Sequence, residues 1–233
     1  MKFKSFISFL FGFLMASLTF AQVGEHRCDL SIGFTGGYTM NTMDFVPKIK
    51  QTQKGSPMIG FSSRYVCEKY FTTICAVELE LQYNNLGWKE VIEDGSGNTY
   101  KRDWHFIEMP ILMQMGWGRE LRGCKFILEA GPIFGYNLGS SETYGGGVWD
   151  VSRRPNNVVK QYGMVVDNKV DYGITAGIGM ELSTPLGHFL LNARYNYGLG
   201  DVFDNSKKGF FSRSAHQTIT AKLTYLFDIV KTK

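Results

Sequence analysis

Apolar and polar side chains alternate with period two in eight separate runs along this chain, and helical spacing is hard to find. The runs cover roughly residues 28–41, 57–67, 73–85, 101–117, 125–138, 169–183, 187–198 and 217–227. The third is the cleanest: Val77, Leu79, Leu81 and Tyr83 share one face, and Glu78, Glu80, Gln82 and Asn84 share the other. The sixth sets Tyr172, Ile174, Ala176, Ile178 and Met180 against Asp171, Gly173, Thr175, Gly177, Gly179 and Glu181. The fourth contains Pro110, which lacks an amide hydrogen and predicts a local irregularity. Such a chain folds into a sheet whose two faces differ in chemistry.

The connections alternate in length. Those after the second, fourth and sixth runs are short: 68–72, 118–124 and 184–186. Those after the first, third, fifth and seventh are long: 42–56, 86–100, 139–168 and 199–216. Short turns at one end and long loops at the other are the pattern of an outer-membrane barrel, with the long loops outside. Eight runs of about ten residues suit the smallest of these barrels. The expected fold is therefore all-β: an eight-stranded antiparallel transmembrane β-barrel, an up-and-down meander.

The N-terminus supports export. Lys2 and Lys4 precede an almost unbroken apolar stretch over 6–20, with the small residues Ser17, Thr19 and Ala21 at its end ahead of Gln22. That layout reads as a signal peptide over 1–21, leaving a barrel domain over 22–233 of about 212 residues. The stretch is shorter than the roughly 20 residues of a spanning helix, and no later stretch comes closer. Alternating strands have a soluble-looking average, so a mean hydropathy of -0.13 does not oppose a membrane barrel. A net charge of +4 favours no polyanion, and an exported chain is not expected to meet nucleic acid.

Period alone does not say which face meets lipid. Arg64, Glu78, Glu80, Glu108, Glu129, Asp171, Glu181, Arg194 and Lys222 fall opposite the aliphatic residues. The apolar faces carry Tyr65, Tyr83, Trp117, Phe126, Tyr136, Phe189, Tyr195, Tyr197 and Tyr225 toward their ends, as a membrane–water interface selects. The apolar face is expected to point outward. Eight strands leave no open bore, so Arg64, Glu78, Glu80, Glu108, Glu129, Glu181, Arg194 and Lys222 are expected to form a salt-bridged lumen network. Tyr225 and Phe227 near the C-terminus resemble an outer-membrane assembly signal, although 228–233 follow them.

Several short blocks in order resemble one family. Glu78 through Tyr83 to Gly87 is followed by Phe106-Ile107-Glu108-Met109-Pro110-Ile111-Leu112. Gly131-Pro132 with Tyr136, Asp171-Tyr172-Gly173, Gly177-Ile178-Gly179-Met180-Glu181, Arg194-Tyr195-Asn196-Tyr197-Gly198-Leu199 and Arg213-Ser214 come after. Together they resemble the PorT-like outer-membrane β-barrel family of Bacteroidota. That resemblance implies an outer-membrane barrel of poorly defined role, and its founding member takes part in type IX protein secretion; no cofactor is expected.

Candidate sites are few. The 139–168 loop carries Trp149, Arg153 and Arg154, expected to contact an envelope or secretion partner, a glycan or lipopolysaccharide. Outer-membrane lipid would surround a monomeric barrel. Four cysteines in an exported chain raise disulfides, with Cys67 and Cys75 the best-placed pair, Cys28 with Cys124 a weaker one, and free thiols an equal alternative. A lipid-modifying enzyme would need a hydroxyl, a His and an acid at the rim. His105, His216, Ser212 and Ser214 are the residues available there, and the expected reading is that they are not catalytic. No two His are close enough in sequence to suggest a metal cluster. A narrow passive channel is the remaining alternative.

Overall fold

A computed structural model describes residues 28–70, 73–118, 123–152, 154, 158–203 and 209–230, with backbone alone for 67–70. The 1–21 segment and Arg153 lie outside these residues, as do the 71–72 and 119–122 turns. The strands are β1 (Asp29–Val46), β2 (Gln51–Thr52), β3 (Lys54–Tyr70), β4 (Thr73–Glu90), β5 (Thr99–Gly118), β6 (Gly123–Gly145), β7 (Val170–Thr184), β8 (Gly187–Gly198) and β9 (Arg213–Val230).

Every neighbouring pair is antiparallel, and β4 pairs β5 while β1 pairs β9, so the sheet closes on itself. Eight long strands form the wall; the two-residue β2 only adds to the end of β4. Closure leaves the wall itself no ladder edge for another chain to pair with; beyond it β6 runs on past Tyr136 paired with β5 alone. It also satisfies backbone groups that could find no water inside a bilayer. At Pro110 the ladder toward β4 has a gap between Leu79↔Ile111 and Gln82↔Glu108, consistent with the missing amide hydrogen. A wall this tightly curved brings strands close at several glycines, most tightly at Gly33 and Gly131. A Cβ on Gly33 would lie 1.7 Å from the Tyr225 carbonyl oxygen, and one on Gly131 would lie 1.9 Å from that of Ile111. Either position excludes any side chain unless the backbone shifts.

The two faces of the wall divide as the alternation predicts. Phe34, Leu79, Met113, Ile178, Leu191 and Leu223 are exposed on the outside, while Glu78, Glu80, Lys222 and Thr224 are buried within. Outside, aromatics gather at two levels. Trp117 stacks near Phe126 (6.4 Å) and Phe189 packs on Tyr225 (4.9 Å) at the short-turn end. Tyr38, Tyr83, Tyr136 and Tyr172 stand exposed toward the other end.

The strands are longer than the sequence reading allowed. The expected long loops 42–56, 86–100, 139–168 and 199–216 shrink to 47–53, 91–98, 146–169 and 199–212, because pairing continues past the expected boundaries of β1, β3, β4, β5, β6 and β9 at this end. The cause is a change of chemistry on the inward face. On β1, inward Thr35, Thr39 and Asn41 give way to Met43 and Phe45, and on β4, Gln82 and Asn84 give way to Leu86 and Trp88. These apolar residues meet Tyr100, Trp104 and Phe106 of β5 and Val202, Phe203 and Phe211 of the β8–β9 connection in one buried cluster. Its burial holds the strand extensions together beyond the membrane band.

Candidate functional site

The lumen has two layers. In the lower one, Arg194 on β8 places Nη1 2.6 Å from Glu80 and reaches Glu129 through Nε. Lys222 on β9 pairs with the other oxygen of Glu80. Glu78 lies 3.9 Å from Arg194 and accepts hydrogen bonds from Ser62 and Gln114. Gln114 also donates to Glu129 at 2.9 Å, as does Asn192 at 2.8 Å. Nearer the short turns, Arg64 meets Glu181 at 2.8 Å and Lys125 meets it at 3.1 Å. All eight residues of the expected network are buried. Strand parity brings them together: each lies on the inward face, so residues far apart in sequence converge across a narrow bore.

Glu108 departs from the expected ionic pattern. It faces the amides of Gln82 (3.1 Å) and Asn84, with no cation bonded to it among the described residues. Conversely, Lys125 and His188 join the network although the sequence reading did not include them. His188 sits between Glu181 (2.6 Å from Nδ1) and Asp228 (3.2 Å from Nε2). Ser183 lies 3.1 Å from the same Nδ1. Each ring nitrogen faces a carboxylate, so neither is left free to serve Ser183 as a base.

Above this layer the aromatic cluster closes the bore. Phe45 packs at 5.1 Å from both Trp88 and Phe211, and Trp104 packs on Phe203 at 6.1 Å. Arg102 lies 5.2 Å over Phe203 and 5.4 Å over Trp104, and its charge is met by Glu142 at 2.9 Å. The lumen is thus blocked twice, by ion pairs and by rings.

The two rim histidines lie on opposite sides of the wall. His105 faces outward, 2.7 Å from the Tyr83 hydroxyl. His216 is buried inside between Trp104 and Phe106 and lies 3.3 Å from the Asn41 amide. Ser214 is buried as well, bonded to the Phe203 amide at 3.0 Å, while Ser212 is exposed and bonded to the Val46 carbonyl. These groups therefore do not assemble into a nucleophile, a base and an acid on the lipid face. Cys75 carries a free thiol, and its partner in the register is Glu68, because the β3 strand shifts between Val66 and Glu68. The Cys67 side chain lies outside the described residues. Among the described residues no group of His, Cys, Asp or Glu is arranged to hold a metal.

At the long-loop end stands a crown built by the 91–98 and 146–169 connections. Trp149 packs between Tyr144 (4.7 Å) and Tyr162 (5.1 Å). Arg154 lies 4.7 Å over the Trp149 ring, donates from Nε to the Tyr162 hydroxyl at 3.2 Å, and pairs through Nη1 with Asp94. Trp149 and Arg154 thus fasten one connection to the other, with Arg154 only 5% exposed. The crown's outward side chains are different ones: Val148 and Val165 are exposed there, at 89% and 75%. Sequence position singled out this loop. It did not show which of its residues turn in.

The model of the outer membrane protein beta-barrel domain family matches residues 20–204. No curated protein matches the chain. Among solved structures, Ail, the attachment invasion locus protein of Yersinia pestis, is 12% identical, with 84% of this chain and 98% of that chain covered at a TM-score of 0.37. Neisserial surface protein A is 12% identical, with 85% and 97% covered at a TM-score of 0.46. OprG of Pseudomonas aeruginosa is 11% identical, with 87% and 97% covered at a TM-score of 0.40.

Proposed function

Because the chain belongs to the outer membrane protein beta-barrel domain family, and so resides in the outer membrane, we propose that it is an interaction barrel whose crown contacts an envelope partner. The observation that carries this reading is the doubly blocked lumen: with the bore filled by ion pairs and rings, the crown is the surface left to act. Loops on a rigid scaffold are where binding usually resides. Exposed Val148 and Val165 are apolar side chains the crown turns outward, where a partner would meet them.

In this reading the crown faces outward, the barrel works as a monomer among outer-membrane lipid and lipopolysaccharide, and it performs no chemistry and uses no cofactor. The short blocks quoted above favour the PorT-like family of Bacteroidota, and with it a partner from the protein-secretion apparatus. A rim enzyme is disfavoured by the placement of His105 and His216 on opposite faces of the wall.

The test is crosslinking in intact outer membranes followed by affinity capture, with wild type beside a Val148→Ser/Val165→Ser variant. The expected result is an envelope protein captured by wild type and reduced at least fivefold in the variant. Equal capture by both, or capture of no envelope protein, contradicts the reading.

A further inference from the structure

Past Tyr136, where its ladder with β7 ends, β6 continues to Gly145 paired with β5 alone. The Asn137 amide still donates to the Lys169 carbonyl at 2.7 Å. Beyond it, no backbone group of 138–145 bonds to any segment except β5 among the described residues. Every second residue of a strand aims its amide and carbonyl to the same side. At about 3.3 Å per residue, this stretch therefore presents a row of unused donors and acceptors about 26 Å long. The 146–169 connection meets it through side chains: the Gly163 amide bonds the Glu142 carboxylate at 3.1 Å, and Tyr162 lies 6.5 Å from Tyr144. Ser140, Ser141 and Thr143 stay exposed.

Other strands that outrun a neighbour at this end are covered. On β1, Gln51 accepts from the Met43 amide at 3.0 Å and donates to its carbonyl. On β4, Lys54 and Ser56 bond the Asn85 carbonyl at 3.1 and 2.7 Å, Asn41 bonds that of Gly87 at 2.6 Å, and β2 pairs with Lys89 and Glu90. On β9, the Val202 amide bonds the Ser214 carbonyl at 3.0 Å. Folded proteins blunt free edges with Lys, Pro or bulges. The 138–145 stretch holds no Lys, Arg or Pro, and its register shift lies at its base, between Asn137 and Gly139. Its acid, Glu142, is paired with Arg102 at 2.9 Å, so the edge carries no charge to repel an incoming strand.

We propose that the 138–145 edge of β6 binds an extended segment of a partner protein by main-chain pairing, adding a strand to the wall above β7. The proposal rests on the reading of the crown as the working end of the barrel and supplies its mode of contact. A polypeptide backbone offers amides and carbonyls at the matching spacing; a glycan or a lipid headgroup does not. A second copy of this chain does not fit. Two copies in one membrane both run upward at this strand, so their edges do not pair antiparallel. The two-fold about the membrane normal that faces one edge to the other crosses them at about twice the usual strand tilt of 35–45°.

A displayed library of random ten-residue segments is panned against the protein in lipid nanodiscs, after depletion on empty nanodiscs. The recovered segment is then synthesised in two further forms, N-methylated at its odd or at its even positions. The expected result is saturable binding that slows amide exchange at 138–145. Methylating one set should weaken it about tenfold or more and methylating the other should not, since a strand pairs along one of its edges. Ser140→Pro and Ser141→Pro remove amides that point to opposite sides of β6. The variant that keeps exchange protection of the 100–104 amides of β5 should bind the segment about tenfold more weakly than wild type. No recovered segment, binding without slowed exchange at 138–145, an equal effect of the two methylation sets, or wild-type binding by the variant that keeps the β5 ladder overturns the proposal. An envelope protein captured in intact membranes that leaves 138–145 unprotected overturns this assignment alone. Segments that pair with the edge while no envelope protein is captured overturn only the partner reading.

Discussion

Arg194 bonds two acids, Glu80 and Glu129, with Glu78 farther off at 3.9 Å, and of the two it bonds only Glu80 is paired with another cation. Glu80 keeps Lys222 when Arg194 is removed; Glu129 is left with the Gln114 and Asn192 amides. Breaking a buried pair from one side costs about 3–5 kcal/mol, because the remaining charge is stranded. Arg194→Met should therefore lower the urea-unfolding stability of the barrel by about that amount. Adding Glu129→Gln should recover part of the loss, since the stranded charge is then gone. A double variant no more stable than Arg194→Met would show that Glu129 is not the stranded partner. A second residue-scale prediction concerns Asp94. Hydrogen bonds from the Ser96 hydroxyl and amide, and then Arg154, hold its carboxyl below the usual carboxylate range. A depressed folded-state value contributes stability above the unfolded value and loses it as pH falls through the folded one. Protection factors of the 91–98 and 146–152 amides, corrected for intrinsic exchange, should thus fall as pH drops below the ordinary carboxylate range, and Asp94→Asn should remove that fall.

The β8–β9 connection is the element that closes the bore from above. Phe203 and Phe211 are fully buried against Phe45, Trp88 and Trp104. Truncating a buried Phe costs about 3–5 kcal/mol, so Phe203→Ala should unfold at a correspondingly lower urea concentration. It should still produce no discrete conductance steps in planar bilayers, because the ion-pair layer beneath remains in place. Steps in wild type or in a Phe203→Ala/Phe211→Ala variant would show that the lower layer does not seal.

This element also marks where the sequence stopped being readable. Alternation placed all eight wall strands, since a buried face and a lipid face impose a strict period. It misplaced the loops because polar-inside was assumed to hold along the whole bore. Met43 and Phe45 continue the parity of Thr39 and Asn41, and Leu86 and Trp88 continue that of Gln82 and Asn84. Parity was thus the available signal, and the inversion of polarity hid it. Pairings across the bore, such as Arg64 with Glu181 or Arg194 with Glu80, depend on barrel radius and stagger, which no local pattern encodes.

For the whole molecule, the outside of the barrel is the property that places it. A band containing Phe34, Leu79, Met113, Ile178 and Leu191 is exposed in a way no water-soluble barrel tolerates. Aromatics flank it at two levels, as in outer-membrane barrels. Closed barrels of this kind keep their shape in detergent, so unheated protein should run at a different gel mobility from boiled protein. The most direct test is site-directed spin labelling at Leu79, Met113 and Leu191 in lipid bilayers, reading collision rates with oxygen and with a water-soluble nickel reagent. Labels facing hydrocarbon should collide freely with oxygen and rarely with nickel at all three positions. Protection from both reagents, or ready access for nickel, would contradict an apolar face turned to lipid.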